Sequence, residues 1–221
     1  MSSRFADRRE AGRQLAGAVK ALALADPVVL ALPRGGVPVG YEVARALRAP
    51  LDILLVRKIG APGHEEYGIG ALVDGASPQI VIDEEIARMT GADQAYIDSE
   101  VARQLEEVER RRAAYKVGEA VALEGRNVIV VDDGIATGGT VRAALQALAR
   151  AGPRSVVLSV PVAPRSAEED FSALCDRAIF LATPEPFHAV GAHYENFAQT
   201  ADEEVVDLLT DAARWAKPGT A

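Results

Sequence analysis

The chain has 221 residues, of which 49% are hydrophobic and 25% are charged, a balance that is typical of a folded globular protein. Its net charge of −8 argues against binding to nucleic acid or to an anionic membrane surface, so any phosphate must be held by local geometry. Cys175 is the only cysteine, which excludes an intrachain disulfide and a cysteine-based metal cluster. Because no apolar run resembles a signal peptide or reaches membrane-spanning length, we expect a cytoplasmic protein.

Strands and helices alternate along the first half of the chain. The spacing of Phe5, Leu15 and Val19 predicts an amphipathic helix, followed by a buried strand over 28–32 and a helix over 37–47. A second buried strand is predicted over 51–58, then a Gly-rich loop over 60–70 and strands over 69–74 and 79–83. Residues 84–116 have a charged, helical pattern that indicates an inserted helical arm. Its arginines at 110–112 suit a solvated helix face better than an anion site.

The second half continues the alternation. A strand runs into Asp132 and Asp133, a helix is predicted over 140–151, and further strands are predicted over 155–162 and 177–183. Ser166 and Thr200, each followed three residues later by Glu, are predicted to cap a short helix and a final helix. The order indicates an α/β fold, a parallel sheet with helices on both faces.

The segment VIVVDDGIATGGT at 128–140 carries the functional signal. Its apolar run should place Asp132 and Asp133 at the carboxyl end of a strand, where ligands bind in open parallel sheets. The loop that follows leads into a helix and can cradle a phosphate with main-chain N–H groups and hydroxyls. We assign this role to Gly134, Ile135, Ala136, Thr137, Gly138, Gly139 and Thr140. Ionised carboxylates accept hydrogen bonds from a vicinal diol, so a ribose 5-phosphate satisfies both parts of the motif.

This segment resembles the signature of type I phosphoribosyltransferases, which bind 5-phosphoribosyl 1-pyrophosphate. The resemblance covers roughly 28–183 within one domain over 1–221, and it implies that Arg34, Gly35 and Gly36 contact the pyrophosphate. Arg57 and Lys58 match a basic strand edge that faces the pyrophosphate in adenine phosphoribosyltransferases. The expected ion is Mg²⁺, held mainly through the substrate, with Asp132 and Asp133 as candidate protein ligands.

The resemblance also implies a mobile loop over the site, at 60–70, and a C-terminal hood over the base, at 184–216. The loop carries His64, Glu65, Glu66 and Tyr67 instead of the basic residue expected there, and we take Glu66 as a candidate proton shuttle. Ala136 replaces the aspartate of the 6-oxopurine enzymes, which argues against hypoxanthine and guanine. The tail at 186–205 and the arm resemble predicted bacterial phosphoribosyltransferases of unassigned substrate.

The hood contains aromatic and histidine side chains that could stack on a base or bond to it. These are Phe187, Tyr194, Phe197, His188 and His193, although such a cluster is also typical of a plain core. The sequence therefore predicts transfer of phosphoribose to a nucleobase or a similar nitrogen heterocycle. Two alternatives remain, a non-catalytic sensor of a phosphorylated ribose and a phosphorylatable receiver-type domain. The N-terminal helix and the arm suit a homodimer.

Overall fold

The computed structural model describes residues 5–75 and 78–215. The strands are β1 (Pro27–Ala31), β2 (Leu51–Ile53), β3 (Val56–Ala61), β4 (His64–Val73), β5 (Gln79–Ile82), β6 (Asn127–Val131), β7 (Ser155–Val162) and β8 (Arg177–Ala182). The helices are α1 (Arg8–Lys20), α2 (Gly36–Leu47), α3 (Glu84–Met89), α4 (Gln94–Ala114), α5 (Gly139–Leu148), α6 (Ala167–Ser172) and α7 (Asp202–Ala212), with a 3₁₀ turn at Val190–His193. In the part of the chain described here, no helix is long and apolar enough to cross a bilayer.

The main sheet is parallel and has the order β2-β1-β6-β7-β8. Successive side chains of β6 point to opposite faces, so Val128 and Val130 pack with α5 while Ile129 and Val131 pack with α1 and α2. A continuous apolar run thus buries both faces of the strand, as in other parallel sheets. The predicted α/β fold with helices on both sides is confirmed.

The predicted strand over 51–58 is wrong as a single strand. The chain leaves the main sheet after Ile53, and β3 begins at Val56 in a second sheet of order β3-β4-β5. Leu54 and Leu55 are buried at the crossing, where the Leu55 amide donates to the Asp74 carboxylate at 2.6 Å. The apolar residues are buried on both sides of this crossing, so the hydrophobic pattern of 51–58 did not indicate where one strand ends and the next begins.

The predicted loop over 60–70 is wrong, because these residues belong to the antiparallel hairpin of β3 and β4. Whether this hairpin moves over the site stays a prediction. Two of its glycines allow close backbone approach. A Cβ added at Gly60 would lie 2.5 Å from the Glu65 carbonyl oxygen, and one added at Gly70 would lie 2.3 Å from that of Val81. Within this hairpin, Gly63 in the connecting turn has a positive φ, of 71°.

The helical arm packs against the second sheet. Val108 and Tyr115 share a core cluster with α2, α7 and the strands of the small sheet. The prediction that arginines 110–112 form a solvated helix face is wrong for Arg112. Its side chain is largely buried and donates to Asp74 at 2.9 Å and to Asp52 at 3.2 Å. Asp52 lies in β2 and Asp74 directly after β4, so this cluster ties the arm to both sheets.

Two predicted helix caps are corrected. Ser166 precedes α6 but its side chain makes no capping hydrogen bond, and its backbone is already helical. Helix α7 follows Ala201 and begins at Asp202, so Thr200 lies one residue too early to cap it. By contrast, Asp7, Asp83 and Asp93 accept hydrogen bonds from the first-turn amides of α1, α3 and α4.

Candidate active site

Asp132 and Asp133 follow β6, the middle strand of the main sheet, at its carboxyl end. The Asp133 amide donates to Asp132 Oδ1 at 2.8 Å, which fixes the first carboxylate against the backbone. Asp133 Oδ2 accepts from Arg8 Nε at 2.7 Å. The sequence predicted this place for both acids, at the edge of the sheet where α/β folds commonly bind ligands.

Burial disfavours the charged form of both acids. It raises the pKa of Asp132 well above the ordinary value, and the neighbouring Asp133 raises that pKa further. Burial also raises the pKa of Asp133, but the ion pair with Arg8 works in the opposite direction. An acid pair of this kind is stabilised by a ligand that donates hydrogen bonds or brings a cation.

The loop after the acids is anchored at Ile135 and exposed at Ala136, Thr137, Gly139 and Thr140. The Ile135 amide donates to the Val162 carbonyl at 2.9 Å, and its side chain is buried in the core. Ile135 therefore holds the loop in place, and its N–H is already used. Gly138 has a φ of 75° and directly precedes α5, which begins at Gly139.

The open part of this loop borders a cleft of about 580 Å³. Thr137, Gly139 and Thr140 line one side, while Arg57 and Lys58 of β3 line the other, with Arg142 of α5 beside them. The cleft thus brings together the predicted phosphate loop and the predicted basic strand edge. Arg142 is an additional cation that sequence reasoning missed, although its place in the first turn of the helix after Thr140 is a local signal that could have found it.

The loop at 33–36 packs directly against the two acids. A Cβ added at Gly35 would lie 2.0 Å from Asp133 Oδ2, and one added at Gly36 would lie 2.7 Å from the Val131 carbonyl oxygen. The Pro33–Arg34 peptide bond is cis. The Gly36 amide donates to the Leu32 carbonyl at 3.0 Å, which places it in the first turn of α2. Both glycines are therefore needed for the loop to reach the acids.

The basic side chains predicted to meet pyrophosphate have partners within the protein. Arg34 lies 3.6 Å from Asp202 of α7 and is partly exposed. Lys58 Nζ donates to the Glu66 carboxylate at 2.9 Å across the hairpin, and this hydrogen bond lowers the pKa of the exposed Glu66. Arg57 Nε donates to Gln104 of α4 at 2.9 Å.

Arg57 is a partly buried cation. Burial lowers its pKa, and the nearby Arg111 adds to this effect. A partly buried guanidinium with several arginines nearby gains from an added anion, although Glu107 already offsets some of this charge. Glu66 lies beside Lys58 in the exposed hairpin. Its carboxylate pairs with Lys58 and not with a residue of the acid pair.

The C-terminal segment lies beside the acids. The Tyr194 hydroxyl donates to the Asp133 carbonyl at 2.5 Å, and burial strongly raises its pKa. A Cβ added at Gly134 would lie 2.5 Å from Val190 Cγ1. Phe187 stacks on His193, with ring centroids 5.6 Å apart, while His188 is exposed. The segment predicted as a hood is therefore adjacent to the site, and much of its aromatic cluster is packed internally.

Arg8 was not found from the sequence. It lies in α1, 125 positions before its partner Asp133, and no local spacing connects the two residues. The helical pattern of α1 correctly predicted the buried stripe that holds the helix on the sheet. Which polar residue of that helix meets the site is decided only by the tertiary packing.

The donor set suits a hard cation shared with a ligand better than a dedicated metal cage. Among residues 5–75 and 78–215, no group of three or more His, Cys, Asp or Glu side chains is arranged to hold a metal ion. Asp132 and Asp133 supply carboxylate oxygens, the ligand type that Mg²⁺ prefers, and Mg²⁺ commonly keeps several waters or phosphate oxygens as its other ligands. These residues fit Mg²⁺ bound together with a phosphorylated substrate.

Comparison with known proteins agrees with this geometry. The family model described as "Phosphoribosyl transferase domain" matches residues 8–185. The chain is 45% identical over 211 residues to predicted phosphoribosyl transferases of two Mycobacterium tuberculosis strains, CDC 1551 and H37Rv, covering 95% of this chain and 47% of each relative. It thus spans about half the length of these curated relatives. The crystal structure of TT1426 from Thermus thermophilus is 45% identical, with a TM-score of 0.82, and the match covers 97% of this chain and 100% of that one.

Proposed function

Because the chain belongs to the phosphoribosyl transferase domain family, we propose that it binds 5-phosphoribosyl 1-pyrophosphate with Mg²⁺ and transfers phosphoribose to a nitrogen heterocycle, releasing pyrophosphate. The observation that carries this proposal is the acid pair directly followed by a helix-start loop that faces Arg57, Lys58 and Arg142 across one cleft. A ribose that carries a phosphate at one end and a pyrophosphate at the other matches this order of acceptors, amides and cations.

The carboxylates are the proposed ribose contacts. One oxygen of each acid is engaged within the protein, Asp132 Oδ1 by an amide and Asp133 Oδ2 by Arg8. The second oxygen of each acid is then the natural acceptor for the 2- and 3-hydroxyls of the sugar. Hydrogen bonds to charged acceptors are the stronger ones, so the pair can fix the orientation of the ribose.

The 5-phosphate is assigned to the loop. Thr137, Gly139 and Thr140 border the cleft, and the first amides of α5 have no partner one helical turn earlier. Aligned peptide dipoles make such a helix start favourable for a dianion. Ile135 is left out of this role because its amide already has a partner. The proposed phosphate contacts are therefore Gly134, Ala136, Thr137, Gly138, Gly139 and Thr140.

The pyrophosphate is assigned to Arg34, Gly35, Arg57 and Lys58. Lys58 Nζ donates to the carboxylate and to the carbonyl oxygen of the exposed Glu66, so an incoming anion can replace this carboxylate at small free-energy loss. When bound, Mg²⁺ would neutralise part of the charge on the pyrophosphate, with Asp132 and Asp133 as its available protein ligands. Gly36 allows the loop to lie against the acids rather than donating to the ligand.

The protein's own contribution to the reaction is positioning and electrostatics. The bond between carbon 1 of ribose and the pyrophosphate oxygen breaks, and a bond from the acceptor nitrogen to that carbon forms. The acids hold the ribose, and the cations stabilise the charge that develops on the departing pyrophosphate. No protein nucleophile is needed. Glu66 is a proposed acceptor for the proton of the incoming base, within the exposed hairpin that it shares with Lys58.

The acceptor is proposed to be a nucleobase or a similar heterocycle that enters beside residues 187–197. Tyr194 and Val190 already lie against the backbone of Asp133 and Gly134, so an acceptor bound there would be close to the ribose. A cytoplasmic location and a homodimer are further parts of this proposal. Light scattering on the purified chain tests the dimer, and cell fractionation tests the location.

A direct test is Mg²⁺-dependent release of pyrophosphate from 5-phosphoribosyl 1-pyrophosphate with a panel of bases. The Asp132→Asn/Asp133→Asn variant should lose at least about 100-fold in activity, because two charge-assisted contacts are weakened. Asp98→Asn makes the same chemical change on the exposed face of α4 and should behave as wild type. Absence of turnover with every base would contradict the proposed transferase activity. Tight binding without turnover would instead favour the non-catalytic sensor.

A further inference from the structure

Arg8 contacts one carboxylate of the acid pair and two residues of the C-terminal segment. Its Nε donates to Asp133 Oδ2 at 2.7 Å, and its Nη1 donates to the Ala198 carbonyl at 2.7 Å. Its guanidinium carbon lies 3.9 Å from the centroid of the Phe197 ring. The side chain is 12% exposed, so it is held in this position and not free in solvent.

The backbone just before Arg8 is fixed to the C-terminal segment. The Phe5 amide donates to the His193 carbonyl, and the Glu195 amide donates back to the Phe5 carbonyl, both at 2.8 Å. The Asn196 amide donates to the Ala6 carbonyl at 2.9 Å. Residues 5–8 and 193–198 therefore form one wall beside Asp133, which we call the terminal wall. Arg8 is the cation that this wall presents to the acids.

The position of Asp133 is restricted from the opposite side as well. A Cβ added at Gly35 would lie only 2.0 Å from Asp133 Oδ2, so this oxygen occupies the space that a larger residue would need. The carboxylate is thus confined between Arg8 and the loop at 33–36, and its other oxygen, Oδ1, is directed by this confinement. A planar guanidinium that donates in two fixed directions is well suited to set such an orientation.

Charge gives a second reason for a cation at this place. Two neighbouring carboxylates repel the phosphates of any ligand that they also bind by its hydroxyls. Arg8 offsets one of these two charges at 2.7 Å, and the low exposure of both side chains limits screening by water. Without it, the acids would oppose the binding of the anion that the loop attracts.

We propose that Arg8 is a positioning residue for ribose-phosphate binding, which acts by orienting Asp133 and offsetting its charge. This inference rests on the proposed function. It also gives α1 and the C-terminal segment a role in the site, since the terminal wall is what keeps Arg8 in place. The contribution of Arg8 should therefore depend on the Asp133 carboxylate, whereas a purely structural contribution would not.

The test is a double-mutant cycle on the full chain, with calorimetric titration of 5-phosphoribosyl 1-pyrophosphate in the presence of Mg²⁺. Arg8→Gln should weaken binding about tenfold, as expected for loss of one charge-assisted contact. In the Asp133→Asn background, the same change should alter binding by less than about twofold, because the residue through which Arg8 acts is gone. Arg8→Lys keeps the charge but not the two-directional donation, and should give an intermediate affinity.

Arg9→Gln is the matched control, because Arg9 is the next residue of α1 and pairs with Glu42, away from the acids. It should bind as wild type. Thermal unfolding of each variant checks folding, and Arg8→Lys in both backgrounds completes the cycle if Arg8→Gln is unfolded. Wild-type affinity in Arg8→Gln, or an equal loss with and without the Asp133 carboxylate, would overturn the inference alone. Failure of the wild type to bind this ligand or ribose 5-phosphate would overturn the proposed function as well.

Discussion

Replacing Gly36 with alanine tests how closely the loop at 33–36 must approach the acid pair. The added Cβ would lie 2.7 Å from the Val131 carbonyl oxygen and 3.0 Å from the Asp132 Cα. Ordinary contacts begin at 3.4 Å, so the backbone must separate by about 0.7 Å. Both neighbours are backbone atoms at the end of β6, and no side chain can rotate to relieve the contact.

The expected effects are on both stability and binding. Overpacking of this size costs about 1–3 kcal/mol of unfolding free energy. A loss near 2 kcal/mol should lower the unfolding midpoint by roughly 4–8 °C in a chain of this length. Displacement of the loop from the acids should also weaken binding of 5-phosphoribosyl 1-pyrophosphate, since misplacement by about 1 Å can reduce activity about 100-fold. Differential scanning calorimetry and calorimetric titration measure the two effects.

Gly139→Ala is the matched control for stability. Gly139 is also the first residue of a helix, but a Cβ added there meets no heavy atom within 4 Å. Its unfolding midpoint should equal that of the wild type or exceed it slightly, because alanine favours the helix. If Gly36→Ala were as stable as the wild type, or if both variants lost the same stability, the argument from close approach would be refuted.

Three further predictions concern the buried ion cluster and the hairpin. Burial raises the pKa of Asp74 to about 6, so the folded state holds a proton that the unfolded state releases, and unfolding free energy from this group should rise as pH falls from 7 to 4. The difference in pH dependence between wild type and Asp74→Asn should approach about 3 kcal/mol in denaturant titrations, and parallel curves would disprove it. Arg112→Ala leaves the Asp52 and Asp74 carboxylates buried without their cation and should cost about 3–5 kcal/mol in the same titration; a loss below about 1 kcal/mol would show that the cluster is hydrated. Lys58→Gln should weaken binding of 5-phosphoribosyl 1-pyrophosphate about tenfold while leaving the unfolding midpoint unchanged, because its ion pair with Glu66 is exposed; a stability loss without a binding loss would contradict the assignment.

Local sequence was sufficient where one element defines the feature. The run at 128–131 predicted a buried strand, and its abrupt end in two acids placed them at the carboxyl edge of the sheet. The small-residue loop that continues into α5 was likewise readable, because strand, loop and helix start are consecutive in the chain. Ile135 shows the limit of this reasoning. The motif predicted a phosphate contact at this residue, but its amide donates to the Val162 carbonyl and its apolar side chain is buried in the core.

Sequence was misleading where two structures share one pattern. Glycines at 60 and 70 suit a mobile loop as well as two strands in close contact, and only the position of the neighbouring backbone distinguishes them. The apolar run at 51–58 likewise continued across two sheets. Arg112 carried the same helical spacing as its exposed neighbours, yet it reaches two buried carboxylates.

By itself, the sequence determined the α/β class, the acids at the strand end and the loop that follows them, because each depends on neighbours within a few residues. Tertiary structure alone decided that Arg8 meets Asp133, that β3 brings Arg57 and Lys58 to the loop at 134–140, and that residues 5–8 and 193–198 form one wall. These contacts join residues far apart in the chain, and their distances are set by how helices and sheets pack rather than by any local pattern.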